Sequence, residues 1–423
     1  MMAAMAAEGV PMRSGDDPQL EIVVQRWPDV SEGEARSLIR LMRRADGVGM
    51  NRIVSHSGRP TAAAALVDTS RGLLFIKRYA RSVRDVDTIV PYHRFAAYVA
   101  DRGISTPRFE MFVSSDGDAP VSDDALSSGL SSPGSGDSWR AAGDGSVLVH
   151  GPMAYEAYWV ADGEDLYGDA LTWDPPRTIG HARSLGGFLA RIDVASRGFD
   201  DPPLTPNGMS NRFGVFASED IDAAVDSWLD GRPSVRRYLE LTGRELHADL
   251  DVVRPYARAL SRSYGTLETQ WTHGDPHVSN FLWTNGRPSA VIDFGLADRN
   301  TALFDLAMLI ERHCIQWVDV MNGNEDAYRL DVAEALLDGY AEVRPLSDVE
   351  RMILPDVLAI SQAQAGLAWL QYYMDGTHRM DDAAWCYDVC LMAHTRWFGS
   401  PSGRRFLDGL RALLGSSGSG GTP

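Results

Sequence analysis

The sequence predicts an α+β protein of two lobes, a small one rich in strands and a larger one that is mostly helical. A chain of 423 residues is too long for one compact core and fits two lobes or domains. Three short strand-like runs stand close together at 51–56, 62–69 and 72–79. After residue 163, apolar residues recur mainly at helical spacing, so we expect the lobe boundary near residue 160.

The smaller lobe is predicted at residues 49–160, after a helical extension at 1–48 in which Ser31 is the N-cap of a helix. Gly, Pro and Ser separate the three strand-like runs, as is typical of hairpin turns. A helix is predicted around 85–102. It is followed by a strand at 108–113 and by two more strands in VLVH and YEAYWV.

A Ser-, Gly- and Asp-rich stretch at 114–146 interrupts the smaller lobe, and it contains too few apolar residues to pack. We therefore predict a mobile insertion there. The larger lobe is predicted at 161–414, with helices in TIGHARSLGGFLARIDVAS, IDAAVDSWL and FDLAMLIERHCIQWV. A loop and two short strands, in WTHGDPHVSNFLWTNGRPSAVIDFG, stand between these helices, and a flexible tail is predicted at 415–423.

Charge and hydropathy exclude two classes of partner. A net charge of -18 argues against a nucleic-acid-binding protein, which needs a positive surface. No apolar stretch approaches the roughly 20 residues of a membrane span, and the start of the chain lacks the features of a signal peptide. The three cysteines lie among apolar helical residues and are expected to be reduced thiols. We expect a cytoplasmic protein, either a monomer or a homodimer.

The stretch HGDPHVSN carries the chemistry. Gly274 and Pro276 flank Asp275, which fits a bent loop that presents a carboxylate. Asn280 follows at the start of an apolar run, and Asp293 stands at the end of the next strand-like run, in AVIDFG. Phosphoryl transfer needs such a set, with one carboxylate to orient and deprotonate a hydroxyl and oxygen ligands to hold Mg²⁺ on nucleotide phosphates.

Two other interpretations fit HGD taken alone. An aspartate between Gly and Pro is often only a turn former, and His273 and His277 with Asp275 could be metal ligands of a hydrolase. The complete pattern favours phosphoryl transfer. It consists of HGDxxxxN, an IDFG whose Asp293 lies thirteen residues beyond Asn280, and a lysine in an upstream strand.

This pattern resembles the aminoglycoside phosphotransferase and choline kinase-like family, relatives of the protein kinases, from about residue 50 to 400. The resemblance implies a bilobal protein-kinase-like fold with a small β-rich N-lobe and a helical C-lobe. It further implies that Asp275 is the catalytic base, that Asn280 and Asp293 bind Mg²⁺, and that Lys77 holds the nucleotide phosphates. The donor is ATP or GTP, and the sequence does not distinguish them.

Lys77, in LLFIKRYA, is the single lysine among 40 lysine and arginine residues. A drift toward arginine explains the shortage of lysine but not why one remains. A compact ammonium on a flexible stem can bridge two phosphate oxygens, whereas a planar guanidinium is wider. We interpret Lys77 as the position that could not become arginine.

The sequence departs from the family pattern in three places. The smaller lobe has no GxGxxG, so Ser57 and nearby backbone amides are expected to cover the phosphates. Where relatives place a glutamate that pairs with the lysine, VPYHRF offers Tyr92 or His93, so Asp85 or Asp87 would have to replace that glutamate. In LARID, Asp193 stands where relatives often place a histidine, and the sequence alone does not explain this change.

Other positions follow from the resemblance. The segment YEAYWVADGEDL resembles the linker between lobes, where backbone groups of Trp159 and Ala161 would meet the purine; an edge strand with aromatic packing is the alternative. Asp305, in ALFDLA, resembles an aspartate that braces the catalytic loop, and it would also cap a helix. We expect Asp305 and His273 to give structural support.

The acceptor is expected to bind in the helical lobe, although Trp and Tyr at helical spacing are more often core residues. The candidate lining residues are Arg299, Asn300, Trp369 and Tyr373. We predict a small-molecule kinase whose acceptor hydroxyl belongs to an antibiotic of aminoglycoside, nucleoside or sugar-containing type, with a role in resistance. The alternatives are a kinase of a primary metabolite such as an amino alcohol or sugar, a bacterial stress-response protein Ser/Thr kinase, and an inactive binding protein. No APE-like segment follows IDFG, which argues against the protein kinase.

Overall fold

The computed structural model describes residues 27–57, 61–115, 138–204 and 212–416. These residues divide into two compact units. The smaller unit ends at Asp162 and the larger one begins at Gly163, with Asp101–Ile104 also belonging to the larger unit. An N-terminal unit built on an antiparallel sheet and a mostly helical C-terminal unit confirm the predicted α+β class.

A seven-stranded antiparallel sheet forms the smaller unit, together with helices α1 (Glu32–Arg40) and α2 (Val86–Ala100). The strands are β1 (Met50–Ser57), β2 (Ala63–Thr69), β3 (Gly72–Ala80), β4 (Arg108–Phe109), β5 (Arg140–Ala142), β6 (Val147–His150) and β7 (Met153–Trp159). Their order is β1-β2-β3-β7-β6-β5, and β4 pairs with the end of β7. The strand predicted at 108–113 is shorter than expected, because only two of its residues pair with β7.

Helix α1 begins as predicted at Ser31. The Ser31 side chain accepts the backbone N–H of Glu34, and the Glu34 carboxylate accepts the backbone N–H of Ser31, which is a capping box. The apolar face of the helix, with Leu38 and Ile39, joins one buried cluster with Ile76 of the sheet. The part of the predicted N-terminal extension that the structure describes is therefore part of the sheet's own core. Residues 1–26 lie outside the described residues.

The predicted insertion at 114–146 extends too far toward its C-terminal end. Residues 116–137 lie outside the described residues, but from residue 138 the chain belongs to the sheet. Strand β5 pairs with β6, and Trp139 is only 5% exposed and stacks on His150 with 4.4 Å between ring centroids. The buried Trp139 and the pairing of β5 with β6 place this end of the Ser- and Gly-rich stretch in the sheet.

Twelve helices are described in the larger unit. They are α3 (Ile179–Ser196), α4 (Ile221–Asp230), α5 (Pro233–Thr242), α6 (Leu246–Asp249), α7 (Arg254–Ser263), α8 (Ala302–Cys314), α9 (Trp317–Met321), α10 (Leu330–Val343), α11 (Asp348–Tyr372), α12 (Met380–Trp385), α13 (His394–Gly399) and α14 (Pro401–Ser416), with π-helical turns at Tyr373–Thr377 and Cys386–Ala393. Within the described part of the chain, no helix combines the length and the apolar character that crossing a membrane requires. All three cysteines are buried free thiols, as predicted.

Helices α3 and α10 pack backbone against backbone. A Cβ atom at Gly186 would overlap the carbonyl of Leu336, and a Cβ at Gly339 would overlap the carbonyl of Arg183. Only glycine permits this reciprocal approach. At the surface of the same crossing, Arg183 forms an ion pair of 2.9 Å with Asp338. The buried glycine contacts and this surface ion pair together favour one alignment of the two helices.

Two short antiparallel strand pairs interrupt the helices. Strands β9 (Phe281–Thr284) and β10 (Arg287–Val291) form a hairpin, whose turn residues Asn285 and Gly286 both have positive φ. Strand β8 (Thr269–Thr272) precedes that hairpin in the sequence and strand β11 (Asp298–Thr301) follows it. The two strands pair with each other. The sequence predicted β9 and β10. It did not predict β8 and β11, which are four-residue, largely polar segments.

Candidate functional site

The loop that follows β8 presents Asp275. Gly274 has φ +83°, and a Cβ atom there would overlap the carbonyl oxygen of Leu296, so the turn requires glycine. The Asp275 side chain keeps 24% of its surface exposed, while its neighbours His273 and Pro276 are buried. The loop therefore offers one carboxylate from an otherwise buried turn, as the sequence predicted.

Asp305, in the first turn of α8, is hydrogen-bonded to the backbone of this loop. Its carboxylate accepts the backbone N–H of His273 at 2.8 Å and that of Gly274 at 3.0 Å. Asp305 is fully buried. Burial and the nearby Asp193 carboxylate raise the pKa of Asp305, and the two amide hydrogen bonds oppose that rise. These contacts fit the supporting role that the resemblance implies for Asp305, and that role stays a prediction.

The His273 ring links the loop to the segment that carries Asp293. Its Nε2–H donates to the carbonyl of Ile292 at 2.8 Å, and its Nδ1 accepts the backbone N–H of Asp275 at 3.3 Å. Burial lowers the pKa of His273, which keeps the ring neutral in this tautomer. The backbone N–H of Ile292 donates in turn to the carbonyl of Asn280 at 2.9 Å. These bonds bring the segments of Asp275, Asn280 and Asp293 together.

Asn280 and Asp293 offer two oxygen donors beside the loop. The Asn280 amide donates to the backbone carbonyl of Asp275 at 2.9 Å, which orients its side chain and leaves the amide oxygen available to a cation. Asp293 has φ 60° and ψ 66°, in the left-handed region that is strained for a residue other than glycine. Such strain clusters at functional sites, and two hard oxygen donors fit Mg²⁺.

The metal-hydrolase interpretation finds no support. The ring nitrogens of His273 are engaged with backbone groups, and Nδ1 of His277 bonds the Ser279 hydroxyl at 2.9 Å. Across the described ranges, no group of three or more His, Cys, Asp and Glu side chains is arranged to hold a metal ion.

Asp275 is ionised. Burial raises its pKa, but His277, with Nε2 at 3.5 Å from Oδ2, and Arg312, with Nη2 at 3.5 Å from Oδ1, lower the pKa well below its usual range. A carboxylate whose pKa is held this low is charged near neutral pH and can accept a hydrogen bond from a hydroxyl group.

Sequence reasoning did not identify Arg312 and His313 as part of the site. Arg312 donates to the Thr172 hydroxyl at 2.6 Å in addition to its contact with Asp275. His313 accepts the backbone N–H of Val278 at 3.0 Å, and burial lowers its pKa to about 3, which keeps it neutral. Helical periodicity could have identified Arg312. It lies seven residues, about two turns, after Asp305 on α8, so both side chains are on the same face of the helix.

In the smaller unit, the structure corrects the expected neighbour of Lys77. Asp85 forms its ion pair with Arg81 at 2.8 Å, so it does not replace the missing glutamate. The residue directly opposite Lys77 is Glu156 of β7, and the charge of Lys77 contributes to lowering the pKa of Glu156. Tyr92 and His93, at the position of that missing glutamate, are both bonded to the Glu156 carboxylate.

The other predicted nucleotide contacts lie at strand ends of the smaller unit. Ser57 is the last residue of β1, and the turn after it falls outside the described residues. Trp159 ends β7, its indole N–H donates to Glu110, and Arg71 lies 5.3 Å from its ring centroid. Ala161 lies in the loop that follows β7 and is partly exposed. The roles of Ser57, Trp159 and Ala161 stay predictions.

The predicted acceptor residues differ in burial. Asn300 and Tyr373 are 3% and 1% exposed, and Tyr373 packs in an aromatic group with Trp369, 5.6 Å between ring centroids. Arg299 and Trp369 are half-buried and keep part of their surface accessible. Arg299 and Trp369 are therefore the better placed of the four to contact a ligand.

Asp193, which the sequence left unexplained, is a buried link between helices. It lies on α3 and accepts the hydroxyl of Tyr340, on α10, at 2.5 Å. Burial raises the pKa of Asp193 to about 7, against the hydrogen bond from Tyr340 and the charge of Arg344, which lower it. Its carboxylate is also close enough to Asp305 to raise the pKa of that brace.

Residues 57–346, more than half of the chain, match the profile of the phosphotransferase enzyme family. The matched range includes the lysine strand, the HGD loop and IDFG. The chain belongs to the phosphotransferase enzyme family. This membership confirms the recognised family, and it agrees with the prediction of an enzyme that transfers a phosphoryl group to a hydroxyl.

Among curated proteins, this phosphotransferase-family chain is similar to homoserine kinases. It is 27% identical over 172 residues to that of Gluconobacter oxydans (strain 621H), covering 40% of this chain and 47% of the relative. It is 28% identical over 204 residues to that of Polaromonas naphthalenivorans (strain CJ2), covering 48% and 56%. The chain thus spans about half the length of the curated relatives it matches.

Among solved structures, a similar one is the amicoumacin kinase hAmiN in complex with AMP-PNP, Ca²⁺ and Ami. The identity is 13%, the TM-score is 0.48, and the alignment covers 92% of this phosphotransferase-family chain and 94% of the other.

Proposed function

We propose that this protein transfers the γ-phosphate of ATP or GTP to a hydroxyl of a small molecule, with Mg²⁺ as cofactor. One observation carries the proposal. A single hydrogen-bond network between β8 and α8 ties an ionised, accessible Asp275 to Asn280 and to the strained Asp293. A carboxylate beside two hard oxygen donors is the arrangement that phosphoryl transfer needs and that a purely structural loop does not.

Each group has a distinct role in the proposed reaction. Asp275 accepts a hydrogen bond from the acceptor hydroxyl and orients its oxygen toward the γ-phosphorus. As the new O–P bond forms, the bond from the γ-phosphorus to the bridging oxygen breaks, ADP or GDP leaves, and the hydroxyl proton passes late to the carboxylate. Asn280 and Asp293 would hold Mg²⁺, which neutralises charge on the phosphate oxygens. Lys77 would contact the nucleotide phosphates as a compact charge.

The first proposed acceptor is a hydroxylated antibiotic of aminoglycoside, nucleoside or sugar-containing type, so that the enzyme would act in resistance. The chain contains 11 tryptophans, and some of them could stack against a ring-containing acceptor. A second candidate comes from the curated relatives, which are named homoserine kinases. It is a small hydroxylated primary metabolite that carries an amino group.

Purified protein with γ-labelled ATP or GTP tests the proposal. Each nucleotide is offered alone and then with aminoglycosides, nucleosides, homoserine, amino alcohols and a protein mixture. Label in one small molecule, absent with Asp275→Asn, supports a small-molecule kinase and identifies the acceptor class. Label only in protein would overturn it. A cytoplasmic location and a monomeric or homodimeric state are proposed as well, and light scattering of the purified chain measures the second.

A further inference from the structure

We propose that Glu156 of β7 is the positioning residue for Lys77, so that a strand carboxylate holds the ammonium at the nucleotide phosphates. This inference rests on the proposed function for its catalytic consequence, but not for the contact itself. The geometry that points to it lies entirely within the smaller unit, in β3, β7 and α2.

The sheet register places the two side chains together. Lys77 of β3 and Glu156 of β7 are directly opposite each other in an antiparallel pair. Such residues share one face of the sheet, with Cβ atoms about 5 Å apart. Glu156 is 1% exposed, while Lys77 is half-buried. The carboxylate thus lies in the interior and the ammonium has access to the outside.

Three neutral or titratable donors fix the carboxylate. The Tyr79 hydroxyl donates to Oε1 at 3.2 Å, and the Tyr92 hydroxyl donates to Oε2. Nε2 of His93 bonds the same Oε2 at 2.6 Å, and its Nδ1 bonds the Ser146 hydroxyl at 2.8 Å. Two of the donors come from α2 and one from β3, so Glu156 has a single well-defined orientation.

The groups around Glu156 favour its charged form. Burial raises the pKa of Glu156, but the hydrogen bond and the charge of His93, followed by the charge of Lys77 and the Tyr92 hydroxyl, lower it below the ordinary value. Arg84 lies over the Tyr79 ring, 5.2 Å from its centroid. A buried charge is retained only where a partner compensates it, and the cation opposite Glu156 in the register is Lys77.

Glu34 provides a matched comparison in the same unit. It is also partly buried, and its carboxylate bonds Arg78 at 2.6 Å and the Tyr155 hydroxyl at 2.8 Å. Its partner Arg78 follows Lys77 directly on β3, so the two side chains point to opposite faces of the sheet. Glu34→Gln removes a buried carboxylate without touching the proposed pair.

Because the chain has a single lysine, protein labelled with ¹³C-lysine gives one lysine side-chain signal in NMR spectra. We expect Glu156→Gln to lower the pH at which this signal titrates by about one unit or more, since an opposite charge within about 4–6 Å stabilises the ammonium by that much. Glu34→Gln is expected to leave the titration where it is in the wild type. No change with Glu156→Gln, or an equal change with both variants, would overturn the pairing.

Circular dichroism shows whether each variant folds. If Glu156→Gln fails to fold, Glu156→Asp is used instead. Its side chain keeps the charge but is one methylene shorter, so the pH at which Lys77 titrates should fall by a smaller amount. An unchanged titration in folded Glu156→Asp would then refute the proposal.

Nucleotide binding tests the positioning role without turnover. By calorimetry, Glu156→Gln should weaken ATP binding in the wild-type background by roughly tenfold, the equivalent of one lost charged contact. In the Lys77→Ala background the same substitution should have little further effect, because Glu156 acts through Lys77. Equal losses in both backgrounds would contradict this. If wild-type protein phosphorylates nothing in the acceptor panel, the proposed function fails, while the lysine titration still decides the pair.

Discussion

Replacing Asp193 by asparagine tests the electrostatics beneath the catalytic loop. Asp193 is fully buried between α3 and α10, where the Tyr340 hydroxyl donates to it. Asparagine is the closest neutral mimic of a protonated aspartate, and its amide oxygen can still accept from Tyr340. The substitution therefore removes a titration while it conserves shape.

The expected magnitude follows from the pKa of Asp193, about 7 in the folded protein against an ordinary value of 3.8. Between these pH values the folded protein keeps a proton that the unfolded chain has released. The free energy of unfolding therefore falls by about 1.4 kcal/mol per pH unit as pH rises, or about 4 kcal/mol in all, and this contribution is constant above pH 7. Asp193→Asn abolishes that slope, and it also removes one cause of the raised pKa of Asp305.

Urea unfolding from pH 5 to pH 8, followed by circular dichroism at a helical wavelength, measures this effect in the helical unit. The variant should gain about 2 kcal/mol on the wild type between pH 5 and pH 7, and little more at pH 8. The exposed Asp200→Asn serves as control and should keep a constant difference from the wild type. A difference between Asp193→Asn and the wild type that does not vary with pH would refute the reasoning.

Four substitutions test the reaction itself. Asp275→Asn should keep the fold and nucleotide binding but lower kcat by roughly 10² to 10⁴, and a wild-type rate would remove Asp275 from the mechanism. Asp293→Ala should raise the Mg²⁺ requirement more than Asn280→Ala, because only the carboxylate brings charge to the ion; equal Mg²⁺ titrations of Asp293→Ala and wild type would contradict the ligand assignment. Lys77→Arg should lose on the order of 10²-fold in kcat at saturating nucleotide, since a displacement of about 1 Å has that effect; a near-normal rate would mean that the lone lysine has no special role.

Much of the site was predictable because its chemistry is local in sequence. Asp275, Asn280 and Asp293 lie on one short segment, and Gly274, which bends the loop, stands beside Asp275. The hairpin that spaces them, β9–β10, carries an Asn-Gly turn signal. In contrast, β8 and β11 read as loop, because their pairing is between segments far apart in the chain and neither has a strong strand pattern of its own.

What could not be predicted depends on register and on helix faces. The position of Glu156 opposite Lys77 follows only from how β3 and β7 pair, and a shift of one residue would turn it to the other face. Helix α2 supplies hydrogen-bond donors, Tyr92 and His93, to a carboxylate on a strand, and no local pattern in the sequence indicates that contact. The burial of Trp139 is likewise a tertiary property that composition hides.

Substitutions at Gly186 and Gly339, the reciprocal glycines of α3 and α10, are expected to disturb the Asp275 loop although neither glycine lies in it. Tyr340 follows Gly339, so a methyl group at Gly339 that forces the helices apart also pulls the Tyr340 hydroxyl from Asp193. Asp193 acts on Asp305, which holds the amides of the catalytic turn. In a screen of all single substitutions, Gly186 and Gly339 should therefore be as intolerant as residues that touch the substrate. A map of mutational sensitivity would mark this helix crossing as if it belonged to the reaction centre.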